Sequence, residues 1–108
     1  MPETIPPGTL ELMIARTLAR GRELHGFEIA SAIRELSENV FLVEEGSLYP
    51  ALQRMLLKGW VTVDWGVTSE NRRARYYRLT AGGRKHMQIE LARFERVTTA
   101  LTRVIHAT

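Results

Sequence analysis

The chain has 108 residues, 44% of them hydrophobic and 25% charged, with a formal net charge of +3 and no cysteine. This length fits one domain, and this balance excludes a disordered chain, while the lack of thiols excludes disulfides and thiolate metal sites. No apolar run approaches the roughly 20 residues that cross a bilayer, so no membrane partner is expected.

The N-terminus, Met1 to Pro7, lacks a basic stretch leading into an apolar core. No signal peptide is expected there, and a cytoplasmic location is the default. Pro6-Pro7-Gly8 reads as a stiff lead-in. Thr9 stands where an N-cap belongs, with Glu3 and Glu11 near the positive end of the helix dipole. Leu10, Met13, Ile14, Thr17 and Leu18 recur at helical spacing and face a core. Gly21 stops this helix after Arg20. Glu23 to Gly26 reads as a short connection. A second helix follows, with Phe27, Ile29, Ala30, Ile33 and Leu36 as its buried stripe and Ser37-Glu38-Asn39 as its end. Val40 to Val43 is too short for a full element.

A third helix begins near Gly46 or Ser47. Pro50 is expected in its first turn, where a missing N–H costs little. Leu48, Ala51, Leu52, Met55 and Leu56 make its inner face. Ser47, Tyr49, Gln53, Arg54 and Lys58 are left outside. Gly59 ends it. Val61, Val63 and Trp65 alternate with Thr62 and Asp64, the pattern of a half-buried strand. Gly66 to Asn71 is a polar turn, and Ala74 to Leu79 is a second strand. Trp65, Tyr77 and Leu79 are expected in the core, with Trp60 beneath the hairpin.

Thr80 caps a last helix that runs to about Ile105. Its inward positions are Met87, Leu91, Phe94, Thr98, Leu101 and Ile105, spaced 4-3-4-3-4 and widened by Val97 and Val104. That spacing is a coiled-coil-like seam. Residues 1–79 cannot cover so long a helix, and the simplest partner for it is a second copy.

Charge is divided along the chain. Residues 46–85 hold eight Lys/Arg and two Asp/Glu, whereas residues 1–45 hold four and eight. A basic module is therefore joined to an acidic one, as in a small domain that docks onto a polyanion. The fold class read from these elements is α+β, mainly α. It is a winged helix-turn-helix over residues 1–79 with a long C-terminal dimerisation helix over residues 80–108, forming one compact unit. In such a fold the third helix fits the DNA major groove, and the hairpin wing sets arginines against phosphates.

The residues Leu24-His25-Gly26-Phe27-Glu28-Ile29, Gly46-Ser47-Leu48-Tyr49-Pro50-Ala51-Leu52-Gln53-Arg54-Met55, Gly59-Trp60-Val61, and Arg72 through Thr80 with Gly83 closely resemble the PadR family of bacterial transcriptional regulators. The resemblance covers nearly the whole chain, and its length is similar to that of the family's short subgroup with one C-terminal helix. It implies a homodimeric repressor on a palindromic double-stranded DNA operator, with the first and last helices forming much of the dimer interface. It places Ser47, Tyr49 and Arg54 on the groove-facing side of the recognition helix, and Arg72, Arg73 and Arg75 on phosphates. Gln53 and Lys58 share that outer helix surface. Leu10, Met13, Met87, Leu91, Phe94, Thr98, Leu101 and Ile105 are the expected interface. Phe94 stands where some multidrug-sensing relatives place a tryptophan that stacks on planar ligands.

Each assignment has a plainer rival. Ser47 is either an N-cap or a DNA contact. Arg54 either reaches DNA or pairs with Glu44, Glu45 or Asp64. Arg78 points away from Tyr77 and is the arginine expected to pair structurally. Phe94 is either dimer core or the platform for a small planar effector, which gives the alternative function of a ligand-sensing dimer. A winged helix used only for protein contact is disfavoured by the arginine cluster. No cofactor, metal or enzyme activity is expected. His25, His86 and His106 lie far apart in the sequence, and no nucleophile stands beside a plausible base.

Overall fold

The computed structural model describes residues 3, 5, 6 and 8–108; Pro7 of the expected lead-in lies outside them. The elements are α1 (Leu10–Leu18), β1 (Leu24–His25), α2 (Gly26–Leu36), α3 (Glu45–Leu57), β2 (Val61–Val67), β3 (Arg73–Leu79) and α4 (Ala81–Ile105). The strands form one antiparallel sheet in the order β1-β3-β2. The first three helices pack around Ile14, Leu18, Ile29, Ile33, Leu48, Leu52 and Met55, and the root of the hairpin closes that core with Val61 and Tyr77. This is the winged helix expected from the periodicity. Among the described residues no helix is long and apolar enough to cross a membrane.

The termini of the helices follow local chemistry. Gly21 and Gly59 take positive φ, +85° and +74°, beyond the ends of α1 and α3, a conformation that glycine adopts without a Cβ penalty. At α2 the cap is histidine. His25 Nδ1 accepts the Glu28 N–H at 3.3 Å, and the Glu28 carboxylate accepts the His25 N–H at 3.0 Å. This reciprocal pair satisfies two donors that lack partners inside the helix. The Thr80 hydroxyl caps α4 by accepting the Gly83 N–H at 2.9 Å.

Several expectations need correction. Thr9 holds the N-cap position of α1 but its hydroxyl donates to the Pro6 carbonyl at 2.6 Å, so it braces the lead-in rather than capping the helix. Leu24 and His25 are not a bare connection. They form a two-residue strand against Tyr77 and Tyr76, too short to leave a period in the sequence. Phe27 and Leu36 are exposed, because the core contact of α2 is the narrow row Gly26, Ile29 and Ile33. Helix α3 starts at Glu45, so Pro50 is its sixth residue and lies in the second turn. The helix forgoes one bond to the Gly46 carbonyl there, at the water-exposed surface where that loss is least costly. Trp65 is 62% exposed rather than buried. The alternation of β2 is kept, but the hairpin outruns the helices beneath it. Trp60 is half-buried, and its ring stacks on His86 of α4 at 3.7 Å between centroids.

Glycine at 83 is a packing requirement. A Cβ there would collide with the backbone carbonyl of Trp60 and lie 2.8 Å from Leu79 Cδ1. Gly82 faces only Thr80 Oγ1, at an ordinary 3.8 Å. Gly83→Ala is therefore expected to destabilise the fold by about 2 kcal/mol or more. Gly82→Ala should be neutral or stabilising by up to about 1 kcal/mol. The midpoints of urea unfolding decide both, and equal midpoints for the two variants would refute the packing argument.

Candidate nucleic-acid interface

Helix α3 buries Leu48, Ala51, Leu52 and Met55. Opposite them, at a period of about 3.6 residues, stand Gly46, Pro50, Gln53 and Leu57, all exposed. Gln53 is thus the polar side chain at the centre of the outer face. Ser47 and Arg54 lie on one flank, lining a groove against α1 and the residues before it. Tyr49 lies on the other flank, lining a groove against α2. Lys58 sits at the far end with Nζ 4.7 Å from the Trp60 ring.

The flanking residues are held from behind. Arg54 donates through Nε to Glu11 of α1 at 2.9 Å, and its second nitrogen lies 2.7 Å from the same carboxylate oxygen. Its partner is therefore Glu11 and not Glu44, Glu45 or Asp64. The Tyr49 ring crosses the start of α2, where a Cβ on Gly26 would lie 2.7 Å from the phenol oxygen. Burial of the ring, followed by the nearby Glu45 and Tyr77, pushes the Tyr49 hydroxyl above its ordinary pKa. It stays a neutral group able to donate and accept throughout the neutral range.

The wing is built on two unlike faces. On one, Val61 pairs with Leu79, Val63 with Tyr77, Trp65 with Arg75 and Val67 with Arg73. This face is core at its root and solvent-exposed at its tip. On the other, the Tyr76 ring crosses Gly66, where a Cβ would lie 2.7 Å from it, and the Tyr76 hydroxyl donates to the Val67 carbonyl at 3.3 Å. His25 meets the same Tyr76 ring edge-on at 5.4 Å. The tip closes through Thr68, whose N–H donates to the Arg72 carbonyl at 2.8 Å and whose hydroxyl accepts the Arg72 N–H at 3.2 Å. Asn71 takes φ +61° in this turn, one of the few non-glycine residues suited to that conformation.

Arg72, Arg73 and Arg75 are all exposed on this hairpin. Among the described residues none of them forms an ion pair with a carboxylate, whereas Arg54 pairs with Glu11 and Arg78 pairs with Glu23. Arg78 thus belongs to the structural set, as its direction on the strand suggested. The arrangement offers a row of guanidinium groups without carboxylate partners among the described residues, beside a helix with a polar centre. Phosphate oxygens are the natural counterpart of the first, and base edges of the second.

The expected interface residues, on α1 and α4, separate into three groups. Met87 is only 4% exposed and packs into the core of the chain, so it is unavailable to a partner. Leu10, Met13 and Leu91 are half-buried. Phe94, Thr98, Leu101 and Ile105 are exposed, as are Val97 and Val104. Two exposed residues escaped the sequence-based assignment. Leu57 shares the outer face of α3, but a leucine at a helix end carries no mark of its side. Trp65 was hidden by a strand pattern that continues past the helices beneath it, although the arginines opposite it were visible in the sequence.

The comparison with known proteins accords with this architecture. A family model described as the transcriptional regulator PadR-like family matches residues 15–89. A transcriptional regulator from Clostridium thermocellum is 25% identical, with a TM-score of 0.80 and coverage of 89% of this chain and 92% of that one. A PadR family transcription regulator from Clostridium difficile is 27% identical, with a TM-score of 0.77 and coverage of 91% and 99%. Bacillus subtilis PadR in complex with operator DNA is 24% identical, with a TM-score of 0.67 and coverage of 77% and 47%, a likeness of fold. Helix-turn-helix, wing and long final helix are thus joined to a family match over most of the chain, and the protein belongs to the PadR-like family of transcriptional regulators.

Proposed function

We propose that the protein is a homodimeric, sequence-specific DNA-binding repressor. Helix α3 reads the major groove, and Arg72, Arg73 and Arg75 hold the backbone. The observation that carries this reading is the division of the arginines. Those on the wing are exposed and free of carboxylates among the described residues, while Arg54 and Arg78 are not. Bacillus subtilis PadR, similar in fold, was solved with operator DNA, which supports DNA as the partner of this chain. Gln53 suits bidentate recognition of adenine, and Leu57 suits contact with a thymine methyl. Ser47, Tyr49, Arg54 and Lys58 flank them. Two copies joined through α4 would set their recognition helices in successive major grooves, about 34–36 Å apart on a palindrome. Occupancy of a promoter by both copies then blocks access to it.

The dimer reading rests on α4. Its 25 residues span about 37 Å. Beyond Leu91 its apolar side chains Phe94, Val97, Leu101, Val104 and Ile105 are exposed, and burying such a stripe against a second copy is the simplest way to remove it from water. Phe94 is assigned to this seam.

With at least three phosphate contacts per subunit, log K against log[salt] is expected to slope at roughly −5 to −7, and the Arg72→Ala, Arg73→Ala pair should make it shallower by about 3 to 4. That pair should weaken all duplexes alike. A slope near zero in fluorescence anisotropy would remove the DNA-binding reading.

Sequence preference is tested on α3. Gln53→Ala should cost about 1–3 kcal/mol of discrimination at one base pair. Tyr49→Phe, which keeps the ring over Gly26, isolates the hydroxyl. Selection of bound sequences from a random pool measures both, and an unaltered consensus for Gln53→Ala would displace it from the reading face.

Sedimentation velocity at micromolar concentration should give a dimer, and Leu101→Glu should shift it to monomer while leaving the core intact. A wild-type monomer under those conditions would refute the seam.

A further inference from the structure

Trp65 is a large aromatic side chain left in water on the wing, with Arg73 and Arg75 on either part of its surroundings. The Arg73 guanidinium carbon lies 4.6 Å from the indole ring and that of Arg75 lies 5.7 Å from it. Both distances fall within cation–π range, about 6 Å. The register explains the grouping. Trp65 is directly opposite Arg75, and Arg73 is its diagonal neighbour on the same face of the hairpin.

We infer that Trp65 is a positioning residue of the DNA-binding wing, holding Arg73 and Arg75 as an ordered pair that presents its charge to backbone phosphates. The inference rests on the DNA-binding reading proposed above. Its physical content lies in what the ring does differently from a carboxylate. Glu11 orders Arg54 and Glu23 orders Arg78, but each does so by neutralising the charge. The indole face attracts a guanidinium through its quadrupole and carries no net charge. The N–H edge of each guanidinium remains available, and the positive charge of the wing is undiminished.

Ordering matters because a free arginine loses most of its rotamer freedom when it clamps a phosphate. A pair already laid against a ring has lost part of that freedom before DNA arrives. The exposure of Trp65 also separates this role from folding, since the ring contributes little to the core. Tyr76 and Gly66 stiffen the opposite face of the same hairpin, so the strand beneath the indole is a firm base for it.

The test is a thermodynamic cycle in DNA binding. Trp65→Leu keeps an apolar side chain and removes the ring, and Trp65→Phe keeps a smaller ring. Trp65→Leu is expected to weaken binding to all duplexes about three- to tenfold, and Trp65→Phe to recover part of that loss. In an Arg73→Ala, Arg75→Ala background, Trp65→Leu should change affinity less than about twofold, because the residue acts through the arginines. The thermal midpoint should not move. In the free protein, the side-chain N–H resonances of Arg73 and Arg75 should carry ring-current shifts that vanish in Trp65→Leu.

Wild-type affinity in Trp65→Leu would overturn the inference and leave the DNA-binding reading in place. An equal loss in the arginine-free background would overturn it in favour of direct contact between the indole and DNA. Absence of ring-current shifts would overturn it without any DNA present. A wild-type protein that binds no duplex at low salt would overturn the DNA-binding reading, and the inference with it.

Discussion

Thr80 is the joint from which the working parts hang. Its hydroxyl donates to the Gly59 carbonyl at 2.7 Å, beyond the end of α3, and accepts the N–H of Gly83 at the start of α4. Its own N–H donates to the Trp60 carbonyl at 3.0 Å, just before β2. One threonine therefore ties the exit of α3, the root of the hairpin and the first turn of α4. Gly83 makes the joint close, since any larger residue would hold α4 away from the Trp60 backbone. The Trp60–His86 stack and the cation–π contact of Lys58 reinforce the same corner. The orientation of α4 and that of α3 are consequently properties of one junction.

The fate of each arginine follows from its neighbours rather than its own chemistry. Arg54 and Glu11 stand 43 residues apart in sequence and meet because α1 packs against α3. The pair braces one flank of α3, as Gly26 admits the Tyr49 ring on the other. Wing arginines find an aromatic face or water. A net charge of +3 thus understates the stretch from α3 through the hairpin, since residues 46–85 hold eight Lys/Arg and two Asp/Glu while residues 1–45 hold four and eight.

Much of this fold was legible in the sequence because amphipathic helices write their burial as a period. Leu48, Ala51, Leu52 and Met55 predicted the inner face of α3, and Thr80 predicted the start of α4. Several of the failures share one physical source, which is that periodicity reports a face but not how far the neighbouring element extends. Trp65 keeps the alternation of Val61 and Val63, yet no helix lies beneath it. Phe27 and Leu36 fit a helical stripe wider than the contact actually available to α2. β1 is two residues long and exists only because Tyr76 and Tyr77 supply a strand to pair with. Met87 fits the α4 seam by spacing, but it lies close enough to the joint to be claimed by the core. The partner of Arg54 was not legible at all, since a long-range ion pair has no local signature.

The anchoring of α4 at one end has a mechanical consequence. Only its first turns are packed against the rest of the chain, and the remainder extends as an arm within a molecule 57 Å in its longest dimension. Over a length of about 37 Å, a tilt of about 5° at Thr80 displaces the tip by about 3 Å, roughly half the spacing of neighbouring side chains on a helix. The fulcrum of this arm, at Thr80, is also bonded to Gly59 at the exit of α3, so a tilt of the arm and a rotation of α3 would act on the same few atoms.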